Sequence, residues 1–151
     1  MTEYSVRPSL RLNMKVNAIN LLERHGVQPS AHRVAVAECV LNSCDHPTAE
    51  KVALQVRKVF PVISRATIYN TLNLLVEKGL LRQYVLDDGK TVFDANVGCH
   101  HHFVDEGSGR VYDIPWDSLK VSNLESLKDF DVTEYQVVVR GKLKKPDRKR
   151  R

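Results

Sequence analysis

The stretch Ser64–Asn96, SRATIYNTLNLLVEKGLLRQYVLDDGKTVFDAN, decides the fold. Ser64 is a good N-cap for a helix that runs to Gly79, where a residue without a Cβ stops it. At about 100° per residue, Ile68, Leu72 and Leu75 share one narrow arc, while Ala66, Tyr69, Asn70 and Asn73 lie roughly opposite. That outer face carries no acid until Glu77. Beyond the glycine, LLRQYVLDDGKTVFDAN reads as two short strands joined by a turn at Asp87-Asp88-Gly89. Upstream, residues 11–24 space Leu12, Val16, Ile19 and Leu22 as a helix ending at Gly26. Ser30 caps a second helix through about Leu41, with Val36, Cys39 and Val40 among its apolar positions. After the turn NSCDHP, Thr48 caps a third with Ala49, Val52, Ala53, Val56 and Phe60 on its apolar face, closed by Pro61. Helices followed by a β-hairpin is the order of a winged helix-turn-helix domain, whose last helix enters the DNA major groove with the hairpin beside it. A plain α+β domain gives the same order.

After Asn96 the character changes. HHHFVD and GRVYDI predict two strands around the turn Glu106-Gly107-Ser108-Gly109, and residues 117–128 predict a short helix with Leu119, Leu124 and Leu127 apolar. Residues 132–140 alternate well enough for a strand. The organisation predicted is α+β: a winged helix-turn-helix domain over residues 1–93, a hinge over 94–98, a small α/β dimerisation and metal-sensing domain over 99–143, and a basic tail over 144–151. The second domain has too few apolar residues to cover more than one sheet face, so a homodimer is expected.

Charge is divided along the chain. Residues 1–90 carry a net +4, residues 91–139 a net −6, and residues 140–151 a net +7. A basic part joined to an acidic part suits nucleic-acid binding coupled to cation binding; a tail that merely solubilises is the plain alternative. No apolar run approaches the ~20 residues of a membrane helix, and the N-terminus lacks the apolar stretch of a secretory signal. The expectation is a cytoplasmic protein with no membrane partner. The three cysteines, Cys39, Cys44 and Cys99, form no CxxC pair and cannot build a four-cysteine zinc site. Cys39 reads as a packed small hydrophobe.

The run GCHHHFVD concentrates half of the six histidines at His100, His101 and His102. A purification tag would sit at a terminus, which leaves a metal or haem site or a solvated loop. On a strand His100 and His102 share a face, and Cys99 and His101 share the other. Asp94 ends the second hairpin strand, Asp113 falls on the strand expected to pair with the histidines, and His46 lies before the third helix. These five make a mixed nitrogen and oxygen set suited to Fe(II), Mn(II) or Zn(II) rather than a soft metal. An HxH pair is also often solvated, and His46 before Pro47 also serves as a turn residue.

The residues DHPTAEKV, VFPVISRATIYNTLNLLVEKGLL, GKTVFDANVGCHHHFV and GRVYDI together resemble the ferric uptake regulator family, from about Leu12 to Leu143. The resemblance implies a dimeric transcriptional regulator, mainly a repressor, with a winged-helix domain, a dimerisation domain and a regulatory metal between them. Carried across, His46 matches the ligand from the DNA-binding domain, Asp94 the hinge acid, His100 and His102 the HxH ligands, and Asp113 the last carboxylate. Fe(II) or Mn(II) is the implied metal, with Zn(II) able to substitute in vitro. Such an ion selects the domain angle at which both recognition helices fit successive grooves.

The chain departs from many relatives in lacking two CxxC pairs. The positions of the first read Asp105 and Ser108. Asn70, where iron-uptake regulators commonly carry Arg, and Asp113, where they commonly carry Glu, resemble the peroxide-sensing branch. In that branch Fe(II) reacts with peroxide and a ligand histidine is oxidised, by position His46 or His100. The triple histidine, the absent CxxC pairs, YNTL and the ending YQVVVRGKLKK resemble iron response regulators even more, which implies a response to haem through the His100–His102 run, with Cys99 and His101 part of a haem or second metal site. No Cys-Pro dipeptide of the haem-regulatory kind is present.

For double-stranded DNA, Tyr69, Asn70 and Asn73 are the expected base-facing residues, with Arg65 on phosphate or base. Lys78, Arg82 and Lys90 are candidates for backbone phosphates. The resemblance implies an A·T-rich inverted-repeat operator. A metal-dependent hydrolase is the distant alternative, but no nucleophile–base constellation or Gly-rich phosphate loop accompanies the histidines. A metal store is a third, and the amide-rich helix face argues against it.

Overall fold

The computed structural model describes residues 16–43 and 45–144. Leu12, Cys44 and the basic tail from residue 145 lie outside them. Each of the four α-helices among the described residues starts at a short polar side chain. α1 (Ala18–Arg24), α2 (Ala31–Leu41), α3 (Ala49–Val56) and α4 (Arg65–Glu77) follow Asn17, Ser30, Thr48 and Ser64. Each of those side-chain oxygens accepts the backbone N–H three residues on. Such a cap contributes about 1 kcal/mol, a large share for helices this short. α4 ends at Glu77, is capped by Lys78, and is followed by Gly79 at φ +72°, the left-handed conformation that only glycine adopts without strain. α3 stops at Val56 rather than reaching Pro61: residues 57–59 continue as turns, and Phe60 packs on the core edge from outside the helix.

Two compact units divide between Gly98 and Cys99. In the first, Ile68, Leu72 and Leu75 of α4 are wholly buried together with Leu22, Val36 and Val52. Burying side chains of this size contributes about 1.5–3 kcal/mol each. The hairpin β1 (Arg82–Val85) and β2 (Thr91–Asp94) is antiparallel, with Arg82 opposite Asp94 and Gly89 at φ +79° in the turn. A third segment joins its edge: Thr48 bridges Val92, and the Phe93 N–H donates to the Pro47 carbonyl.

In the second unit, β3 (His100–Asp105) is the central strand, with β4 (Val111–Pro115) antiparallel on one side and β5 (Val138–Gly141) parallel on the other. Asp105 organises the β3–β4 turn. Its carboxylate accepts the N–H groups of Gly107 and Ser108, the Ser108 hydroxyl, and the Leu143 N–H just past β5. Two expectations fail here. Residues 117–128 form no α-helix but two 3-10 turns, Trp116–Ser118 and Leu124–Ser126. Asn123 sits at φ +62° between them, which a right-handed helix cannot accommodate. The strand over 132–140 shortens to Val138–Gly141, because only that part pairs with β3.

Candidate metal centre and nucleic-acid face

Two groups of donors are built independently, one in each unit. In the first unit the antiparallel bridge from Thr48 to Val92 runs two residues further to bring His46 level with Asp94. The His46 Nε2 lies 3.1 Å from Asp94 Oδ2, with both side chains buried. The other carboxylate oxygen accepts the Asn96 N–H at 2.7 Å, which fixes the carboxylate plane.

In the second unit, strand alternation puts His100 and His102 on one face, and the β3–β4 register sets Asp113 directly opposite His102. Their Nε2 atoms approach to 2.9 Å, and Asp113 Oδ1 lies 3.7 Å and 3.9 Å from them. Two imidazole nitrogens and a carboxylate oxygen thus converge on one point. That donor chemistry fits a borderline divalent cation such as Fe(II), Mn(II) or Zn(II).

His101 points the other way and is wholly buried. Its ring stacks on Trp116 at 4.5 Å between centroids, and its Nδ1 accepts the Val137 N–H. A neutral ring therefore carries its proton on Nε2, which has no hydrogen-bond partner among the described residues. Cys99 is exposed and precedes the strand.

The outer face of α4 leaves Arg65, Asn70 and Asn73 exposed and Tyr69 half-buried. Tyr69, Asn73 and Lys90 line one cleft of about 600 Å³, bounded on the hairpin side by Gln83 and Thr91. Lys90 pairs with Asp88 at 2.8 Å. Lys78 caps the far end of α4 from Arg65, and Arg82 starts β1 opposite Asp94, so neither lines that cleft.

One acid enters this face that helical spacing alone does not place there. The Tyr69 hydroxyl donates to Glu50 Oε1 at 2.7 Å, and the Arg65 guanidinium reaches the same oxygen at 3.1 Å. Arg65 also donates to the Tyr69 hydroxyl and lies 5.4 Å from its ring centroid. The hydrogen bond from Tyr69 is the main cause holding the Glu50 carboxyl below the usual glutamate range. Glu50 belongs to the HPTAE stretch, but its helix is α3, so only tertiary packing shows what it meets.

A winged-helix unit followed by a histidine-bearing sheet unit is the make-up of a metal-responsive transcriptional regulator. Residues 24–140 match the profile of the ferric uptake regulator family, and the chain belongs to that family. Over 126 residues it is 32% identical to a peroxide-responsive repressor of Staphylococcus epidermidis, covering 82% of this chain and 84% of that protein. The fold matches the crystal structure of the Campylobacter jejuni peroxide stress regulator at a TM-score of 0.63 and 25% identity, covering 86% of this chain and 98% of that one. It also matches a zinc-bound manganese uptake regulator at a TM-score of 0.64 and 21% identity, covering 85% and 99%, a likeness of fold. The chain is accordingly a regulator and not an enzyme. Among the described residues no helix is long and apolar enough to cross a membrane.

Proposed function

We propose that the chain is a metal-dependent repressor that senses peroxide through one divalent ion held by His46, Asp94, His100, His102 and Asp113. The observation that carries this reading is the pair of donor groups: His46 at 3.1 Å from Asp94, and Asp113 converging with the two histidine Nε2 atoms. His46 precedes the predicted hinge at 94–98, Asp94 opens it, and His100, His102 and Asp113 follow it. One ion bound by all five restricts the hinge and favours the state in which paired α4 helices fit successive grooves.

Fe(II) held by these five residues would supply the redox chemistry that cleaves the peroxide O–O bond, one oxygen passing to an imidazole carbon in place of its hydrogen and the other leaving as water. The protein's part is to hold the imidazoles of His46 and His100 where one of them takes up oxygen. An oxidised imidazole is a poorer donor, so the hinge is released and DNA binding with it. The peroxide-responsive repressor at 32% identity supports this choice of signal. His101 gives the haem reading little support, since its ring is enclosed against Trp116 and its Nδ1 is engaged by Val137.

The repressor acts as a homodimer on A·T-rich inverted repeats. Phe130, Leu127, Val132 and Val138 are 42–71% exposed and supply apolar surface for a second copy to cover. Asn70 and Asn73 face bases, with the amide of Asn suited to adenine. The test is to load the dimer with Fe(II), add peroxide without oxygen, and examine peptides by mass spectrometry. An added oxygen atom on His46 or His100, together with loss of DNA binding, is the expected result. Its absence, with DNA binding retained, overturns the peroxide reading.

A further inference from the structure

We propose that Glu50 is a specificity-determining residue: its carboxylate, delivered from α3 onto the face of α4, keeps Arg65 and Tyr69 from nonspecific phosphate. This rests on the reading of α4 as the DNA-facing helix. The geometry is a three-membered knot at the N-terminal end of α4, in which one oxygen, Glu50 Oε1, takes both the Tyr69 hydroxyl and the Arg65 guanidinium. Arg65 also reaches the Tyr69 hydroxyl at 3.3 Å.

The Glu50 and Arg65 side chains are largely exposed, at 60% and 71%. A bare carboxylate on a DNA-facing surface repels phosphate and costs affinity for every sequence. Its presence is therefore a feature to explain.

The explanation is competition. Without Glu50, Arg65 would gain a charge-assisted hydrogen bond from any phosphate that came near. With Glu50 in place, a phosphate only replaces one anionic acceptor by another, so a nonspecific encounter yields little net gain. An exposed ion pair is weak, so the knot opens readily when more is offered. Operator DNA offers more, because Tyr69 then exchanges its carboxylate for a base contact at the same moment that Arg65 takes phosphate. A glutamate carboxylate is ionised at neutral pH, so the competitor is charged, and the hydrogen bond from Tyr69 favours that form further. The same carboxylate borders the cleft shared by Tyr69, Asn73, Gln83 and Lys90.

The test uses the full-length Mn(II)-loaded dimer, a duplex enriched by the native protein from a random pool, and a bulk random-sequence duplex of equal length. Affinities of native protein and Glu50→Gln are measured across a salt series, with melting temperatures to confirm folding. Glu50→Gln keeps an acceptor for Tyr69 and removes only the charge. It should tighten binding to random duplex about tenfold at low salt and steepen the salt dependence by roughly 0.9 per protomer, the value for one further phosphate. Operator affinity should change much less, so the discrimination ratio falls. In an Arg65→Gln background, Glu50→Gln should no longer change the slope.

The proposal is overturned if a folded Glu50→Gln leaves random-duplex affinity and slope unchanged, or tightens both duplexes equally. It is also overturned if the slope change persists without Arg65. If the native dimer enriches no duplex at all, the regulator reading itself fails and this proposal with it.

Discussion

His46 Nε2 lies 3.1 Å from Asp94 Oδ2 because an antiparallel bridge from Thr48 to Val92 brings residues 46 and 94 level. The pairing is thus a product of backbone register. If the two residues are ligands, His46→Ala should weaken Mn(II) binding by more than tenfold, read by calorimetry, while the melting temperature of the metal-free protein changes little. Unaltered Mn(II) affinity would remove His46 from the donor set.

Metal removal should be visible as lost stability as well. A ligand that binds only the folded chain stabilises it by about 2.7 kcal/mol at a hundred times its Kd. Adding saturating Mn(II) to the metal-free protein should therefore raise its Tm by several degrees. A chelator should reverse the shift, and the variant His102→Ala should show almost none. An equal shift in His102→Ala would place the stabilising ion elsewhere.

Asp105 fastens one corner of the three-stranded sheet. Its carboxylate ties the β3–β4 turn to Leu143 at 3.3 Å, and the Ser108 hydroxyl is the chief cause of a pKa below the ordinary aspartate value. A folded pKa below the unfolded one means stabilisation that is present above the unfolded value of about 3.9 and lost as pH falls through the lower folded value. Asp105→Asn should melt below the native protein at pH 7, and the gap should shrink as the pH is lowered past 4. A gap that is constant with pH would show that the charge contributes nothing.

On the DNA side, Asn70→Ala should cost operator affinity about 1–3 kcal/mol, the worth of a bidentate base contact. Mn(II) affinity should be unaffected. Equal losses on operator and random duplex would make Asn70 a general contact and not a reader of sequence.

What was legible in the sequence was local chemistry. Ser30, Thr48 and Ser64 cap helices through contacts three residues away, and the Ile68, Leu72 and Leu75 arc follows from helical period alone. Strand alternation sufficed to separate His100 and His102 from His101. Where the reading failed, the deciding contact was distant or conformational. Leu119, Leu124 and Leu127 are spaced well enough for a helix, yet Asn123 turns left-handed between them and the segment forms only short turns. Helical spacing does not place Glu50 on the α4 face, because its carboxylate arrives from α3, 15 residues before Arg65. The stacking of His101 on Trp116 likewise joins residues from different elements.

The central claim is that a divalent cation on these histidines and aspartates controls DNA binding. It is tested most directly by the affinity of the native dimer for its selected duplex, with saturating Mn(II) and again after chelation. The account predicts a loss of at least about a hundredfold on chelation, the upper part of the usual range for coupling between two sites. Restoring Mn(II) should recover the affinity. An affinity that is the same with and without the metal would contradict it.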